Sequence, residues 1–153
     1  MDKRFPALIG KTALLTGAAK RLGRTVALSL ADSGCSVIVH YNRSESDALD
    51  VAEEAKKSGV KAWTISADLT DIGQVKRLIG SACDRASKID FLVNNASIFP
   101  LSTLYDIDTD SMQETMNVNA LAPFILSREF ARHTEAGAIV NPVSYTHLRA
   151  HET

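Results

Sequence analysis

The sequence predicts an α/β fold, a doubly wound parallel sheet with helices on both faces. Three observations carry that prediction. β-branched apolar runs alternate with segments of helical periodicity along residues 11–141. Two of the helical segments close on a glycine, Gly34 and Gly59, as helix C-termini commonly do. The first β-run leads straight into a glycine-bearing turn, TGAAKRLGR (Thr16 to Arg24), a form suited to cradling an anion at a helix start.

Each element follows from its own pattern. Residues 11–17 are a short strand ending in glycine. Residues 22–34 form a helix on the spacing of Leu22, Val26, Leu28, Leu30 and Ala31. Residues 35–41 are a continuous β-branched run, as in a strand buried on both faces. An amphipathic helix spans 46–59 and a third strand spans 60–69. A third helix spans 71–87, with Asp71 and Gln74 spaced as a variant capping box. A fourth strand, 89–97, runs into a loop. Residues 110–134 form one long helix, distorted near Pro123, and 137–141 form a fifth strand. Right-handed crossovers then put a ligand at the C-terminal ends of the first and fourth strands.

Composition narrows the function classes. At 153 residues the chain is one domain, 45% apolar and 23% charged. A net charge of −1 supplies no basic field for nucleic acid or an anionic membrane, so neither is an expected partner. The opening MDKRFPALIG is too short in apolar length for a secretory leader, and no run of 18 apolar residues occurs. We expect a cytoplasmic protein. Cys35 and Cys83 make neither a disulfide framework nor a metal cluster and read as small buried residues.

The chemistry-bearing residues cluster at strand ends. Gly17 and Gly23 permit a tight turn and a close backbone approach to a pyrophosphate, with Lys20, Arg21 and Arg24 adding positive charge. Arg21 stands where a dinucleotide motif normally has its middle glycine. The second strand ends in His40-Tyr41-Asn42-Arg43-Ser44, with no acid before Glu45. An NAD-selective site would have Asp or Glu there. The guanidinium of Arg43 and the hydroxyl of Ser44 suit a 2′-phosphate, so NADP(H) is the expected cofactor. The alternative makes Arg43 a solvated charge and Ser44 a helix N-cap.

TGAAKRLGR, followed by HYNRS and NNAS, resembles the short-chain dehydrogenase/reductase family, and more narrowly its pteridine reductase-like branch. The resemblance runs from about Lys11 to Asn141. It implies that residues 1–141 are an NADP-binding Rossmann domain, the N-terminal five-strand portion of a seven-strand fold. It implies a cofactor site made by Gly17, Arg21, Leu22, Gly23, His40, Tyr41, Asn42, Arg43, Ser44, Asp68, Leu69, Asn95 and Ala96. In the family the residue matching Asp68 contacts adenine; the alternative is that Asp68 caps a turn. Arg21 reaches toward both pyrophosphate and substrate. Ser97 matches the branch, and Phe99 matches an aromatic that stacks on pterin, unless it packs in the core or anchors a loop. Asn119, set among Met116, Val118, Leu121 and Phe124, matches the family's active-site Asn; the alternative is a buried amide that satisfies a helix kink. Asn117 reads as a packing or capping residue.

Ser144 falls, by register, where the family's substrate-orienting Ser or Asp stands. The family's Tyr-x-x-x-Lys pair does not occur in these 153 residues. Tyr145 is followed four places on by Arg149, which is too basic to share a proton relay. His147 and His151 lack the Glu of an HExxH zinc motif, so no metal is expected. Residues 142–153, PVSYTHLRAHET, match the family only at Ser144 and read as a foreign join on a truncated gene. On that reading the fifth strand is an unpaired edge, the helix from Asp110 exposes its apolar face, and the fragment is marginally stable and inactive. The implied parent is an NADPH-dependent, homo-oligomeric (dimeric or tetrameric) reductase of a pterin-like or related carbonyl or imine substrate. Two alternatives stand beside it: a 3-oxoacyl-thioester or general carbonyl reductase, and a non-catalytic NADP-binding module.

Overall fold

The computed structural model describes residues 5–101, 103 and 105–143. Strands and helices alternate as β1 (Thr12–Leu15), α1 (Arg21–Asp32), β2 (Ser36–Tyr41), α2 (Glu45–Lys56), β3 (Ala62–Ser66), α3 (Ile72–Ala86) and β4 (Phe91–Val93). Then come α4 (Thr109–Met116), a π-helical turn (Asn117–Leu121), α5 (Ala122–His133) and β5 (Ala138–Val140). Every strand pairing is parallel, in the order β3-β2-β1-β4-β5. The winding reverses at β1, so the switch point lies between β1 and β4.

Strand periodicity divides the core in two. Leu14, Ile38 and Leu92 face α3 and α5, meeting Leu78, Ile79, Leu126 and Phe130. Ala13, Leu15, Val37, Val39 and Val93 face α1 and α2, meeting Ala27, Ala31, Val51 and Ala55. The second face is lined with small side chains. This corrects the sequence reading of α1: its buried stripe is Gly23, Ala27 and Ala31, while Leu22 is 60% exposed and Val26, Leu28 and Leu30 are half-buried. A glycine–alanine stripe lets the helix backbone lie close to the sheet, which a leucine stripe would prevent.

Helix ends are set locally. Gly34 takes φ +93, its N–H donates to the Ala31 carbonyl, and the Cys35 N–H donates to the Leu30 carbonyl. Those two bonds make a Schellman cap. At α3 the Asp71 carboxylate accepts from the N–H groups of Gly73 and Gln74. The return half of the expected capping box is absent. The Gln74 carbonyl oxygen accepts from the Asp68 N–H at 2.9 Å instead, and its amide nitrogen donates to Asp71 Oδ2 at 3.0 Å. The single long helix predicted for 110–134 is present as α4 and α5, with the π turn taking up the distortion just before Pro123. Cys35 is buried, and burial pushes its thiol up to about 11; Cys83 is only half-buried. β5 pairs with β4 alone among the described residues, leaving Ile139 and Val140 partly exposed.

Asp90 ties the N-terminal ends of the central strands. Its Oδ2 accepts from the Thr12 N–H at 2.9 Å, and its Oδ1 receives Lys11 and Lys88 at 3.2 and 3.1 Å. Burial opposes its charge, but the Thr12 N–H and the two lysines outweigh burial and hold the carboxyl below the usual range. That stabilisation is complete above the unfolded carboxyl value of about 3.9 and is lost as pH falls through the folded value. Asp90→Ala leaves the buried Thr12 N–H unpaired and is expected to cost about 2 kcal/mol in urea unfolding at neutral pH, with Asp90→Asn costing less.

Candidate functional site

The site begins with the turn after β1. Gly17 has φ +61, and a Cβ on it would lie 2.9 Å from the Ala96 Cα. A Cβ on Gly23 would lie 2.4 Å from the Gly17 carbonyl oxygen and 2.6 Å from Asn95 Nδ2. Asn95 Nδ2 donates to the carbonyls of Thr16 and Gly17, at 3.0 and 3.1 Å. Thr16 Oγ1 accepts from the Ala96 N–H at 3.0 Å. The glycine turn and the loop after β4 are thus interlocked across the switch point.

His40 completes the lock from β2. Its ring is 2% exposed. The Gly17 N–H donates to Nδ1 at 3.1 Å, and Nε2 lies 3.1 Å from the Ala67 carbonyl. Only the neutral ring with its proton on Nε2 satisfies both partners. Burial drives its pKa down to about 4, against a smaller upward effect of the Ala67 carbonyl. His40 therefore holds the turn, and both ring nitrogens are occupied by backbone. The sequence reading had put it against cofactor.

The start of α1 is open. Lys20, its N-cap, makes no side-chain cap bond, and the first turn holds no acid. Free N–H groups and the positive dipole end meet there, which fits a pyrophosphate. Arg21 has φ +50, so the position keeps the left-handed backbone that a middle glycine would adopt. The other two cations of the turn face elsewhere. Lys20 pairs with Asp47 at 3.1 Å, and Arg24 pairs with Glu54, both on α2. Among the described residues Arg21 and Arg43 make no ion pair. Leu22 is exposed beside Arg21, and Tyr41, Asn42, Arg43 and Ser44 follow β2 onto the same end of the sheet. Ser44 occupies the α2 N-cap position without a side-chain cap bond.

At the end of β3, Asp68 Oδ1 accepts from the Thr70 N–H and hydroxyl, at 2.9 and 2.8 Å. The turn-capping role is therefore real, and Oδ2 is the oxygen left for a ligand. Leu69 is buried in the core. Beyond β4, Ser97 is exposed and Phe99 is 83% exposed, so the Phe99 ring is neither core nor anchor. Asn119 is exposed, contrary to the expectation of a buried amide. Its Oδ1 accepts from the Ile98 N–H at 2.9 Å and its Nδ2 donates to the Ile98 carbonyl at 2.8 Å. It sits inside the π turn, and Pro123 has no N–H to return to its carbonyl in the i→i−4 pattern. The side chain pins the loop, while the carbonyl has no α-helical i→i+4 donor.

Sequence reasoning missed two groups. Thr16 locks Ala96, and Asn94, 6% exposed, donates through Nδ2 to Asn141 Oδ1 at 2.8 Å and to Ser127 Oγ at 3.3 Å. The Asn94 Oδ1 is buried without a partner. The paired asparagines of NNAS were the available signal, since two adjacent amides at a strand end must point to opposite faces. Ser144 lies outside the described residues.

Residues 11–151 match the short chain dehydrogenase family. The chain belongs to that family. A trihydroxynaphthalene reductase from Colletotrichum orbiculare is 31% identical over 131 residues, covering 86% of this chain and 46% of that protein. A short chain dehydrogenase from Burkholderia cenocepacia, solved with NADP, superposes with TM-score 0.84 at 36% identity, over 88% of this chain and 55% of that one. FolM alternative dihydrofolate reductase 1 from Brucella canis, also solved with NADP, gives TM-score 0.81 at 31% identity, over 88% and 55%. The chain spans about half the length of the curated relatives it matches. Among its described residues no helix is long and apolar enough to cross a membrane, and no His, Cys, Asp and Glu cluster is suited to a metal.

Two measurements test this geometry. Because the folded His40 stays neutral, the unfolded chain binds more protons between about pH 6.5 and 4. Stability is complete above that window and falls as pH drops through it, by roughly 3 kcal/mol in full. Urea midpoints between pH 7 and pH 4.5 should show this slope, and His40→Asn should flatten it. Arg21→Gly relieves a left-handed residue and should raise ligand-free stability by about 0.5–1 kcal/mol, whereas Arg21→Ala should not.

Proposed function

We propose that the chain is the NADP(H)-binding part of a short-chain reductase whose substrate is a flat, pterin-like ring or a related carbonyl or imine. The observation that carries the cofactor is the pairing of an open, acid-free α1 start with an acid-free β2 end bearing Arg43 and Ser44. Arg21 and the first N–H groups of α1 hold the pyrophosphate. Arg43 and Ser44 hold the 2′-phosphate. Asp68 Oδ2 meets adenine, and the Asn95–Ala96 backbone passes the ribose. Bound NADPH supplies the hydride; these residues orient it. Lys20 pairs with Asp47 and so offsets one of the two carboxylates, Glu45 and Asp47, in the first turn of α2.

The pterin branch is supported by Arg21 at the glycine position, by Ser97, and by the open ring of Phe99, which can stack on a flat heteroaromatic. The similarity to an alternative dihydrofolate reductase agrees with it. The similarity to a trihydroxynaphthalene reductase favours a second reading, in which the flat ring is a polycyclic ketone. On this reading residues 1–141 are the NADP domain and 142–153 a tail foreign to it, although the family match runs on to residue 151. The proton-transferring Tyr-x-x-x-Lys pair that the resemblance implies is not among residues 1–153, whose part in this reading is to bind the cofactor.

Fluorescence titration tests the cofactor assignment. NADPH should bind at least tenfold more tightly than NADH, and Arg43→Ala should remove most of that difference while leaving NADH affinity nearly unchanged. Equal affinities in the parent chain would sink the assignment.

A further inference from the structure

We propose that a cleft between the end of β3 and the outer face of α3 binds a small phosphate-bearing anion, separately from the cofactor site. Five α3 residues line it, with the polar Gln74, Arg77, Ser81 and Arg85 along one helical stripe beside Leu78, and Ser66 closes it from β3. Its volume is about 170 Å³. At roughly 30 Å³ per water, that is room for a diphosphate rather than a single solvent molecule.

Charge makes the cleft selective. The chain carries 18 acidic and 17 basic residues, yet no carboxylate lines this cleft and two guanidinium groups do. Neither Arg77 nor Arg85 makes an ion pair among the described residues. Asp71 feels the charge of Arg77, but its carboxylate is already engaged by the N–H groups of Gly73 and Gln74 and by the Gln74 amide. Arg77 and Arg85 are separated by about 12 Å of helix and both line the cleft, the Arg77 guanidinium lying back toward Gly73. Two planar donor forks match the oxygens of a phosphate better than those of a halide. Ser66 and Ser81 line the same cleft, the Ser66 hydroxyl beside that of Tyr41. Gln74 also links the cleft to the Asp68 turn through the Asp68 N–H bond, so occupancy is readable at that amide.

The test is a nitrogen-15 NMR titration of the chain with pyrophosphate at low, fixed ionic strength. Saturable shifts are expected at Ser66, the Asp68 amide, residues 74–85 and the Arg77 and Arg85 side-chain Nε–H groups. Arg77→Gln with Arg85→Gln should raise the dissociation constant at least tenfold. Both residues are exposed, so an unchanged amide spectrum elsewhere verifies the fold. Arg77→Lys with Arg85→Lys, which keeps charge but loses the forks, should weaken binding by less. Arg43→Ala should leave these shifts intact, which separates the cleft from binding at the cofactor turn. Shifts confined to residues 16–24 and 41–44, non-saturating shifts, or equal binding of succinate would each overturn the proposal.

Discussion

The ligand-facing end of this sheet depends on one backbone turn that cannot hold itself. Gly17 sits in the left-handed region, and its own N–H and carbonyl bond to residues outside the turn. Three neighbours do so instead: His40 from β2, Asn95 from the loop after β4, and Thr16 through Ala96. Gly23 must lack a side chain because α1 descends onto that assembly with less than a carbon atom's clearance. The turn leaves the α1 N–H groups pointing outward only because the bonds that shape it come from elsewhere.

That dependence explains how the two faces of the sheet differ. The α1/α2 face is packed with alanine, glycine and valine, which bring α1 close enough for Gly23 to touch the turn. The α3/α5 face carries leucine, isoleucine and phenylalanine, and there burial supplies most of the hydrophobic stabilisation. One face sets a distance; the other supplies cohesion. Asp90 performs a parallel task at the opposite end, where a charge held by two lysines fixes β1 against β4.

Much of this was legible in the residues. The order of elements and the parallel sheet followed from alternating periodicities, and the glycine turn marked the switch point. Gly34 announced its cap and Pro123 its distortion. The failures have physical causes. Apolar spacing marked the helix by Leu22, Val26, Leu28, Leu30 and Ala31, but helix-to-sheet distance was set by Gly23, Ala27 and Ala31, smaller residues that carry a weak hydrophobic signal. His40 entered the cofactor site through the resemblance of HYNRS to the family; only its partners show that both nitrogens are engaged by backbone. Lys20 and Arg24 counted as site charges until α2 brought Asp47 and Glu54 against them. Such long-range pairings leave no trace in local sequence. Asn119 was found for the right residue type with the wrong environment, since its amide binds the Ile98 backbone at an exposed position.

The Asn95 lock also has a consequence for synthesis. Asn95 lies 78 residues beyond Gly17 in the chain. β1, β2 and β3 can pair as they emerge, and His40 arrives early to accept the Gly17 N–H. The second fastening waits for β4. Asn95 follows His40 by 55 residues, an interval of roughly 3 to 11 s at ribosomal speeds. During it the nascent chain has a nearly formed half-sheet whose nucleotide-facing turn is secured on one side only, and β1 presents a bare flank where β4 will dock. A chaperone or an early-bound nucleotide would find its most receptive target in that interval.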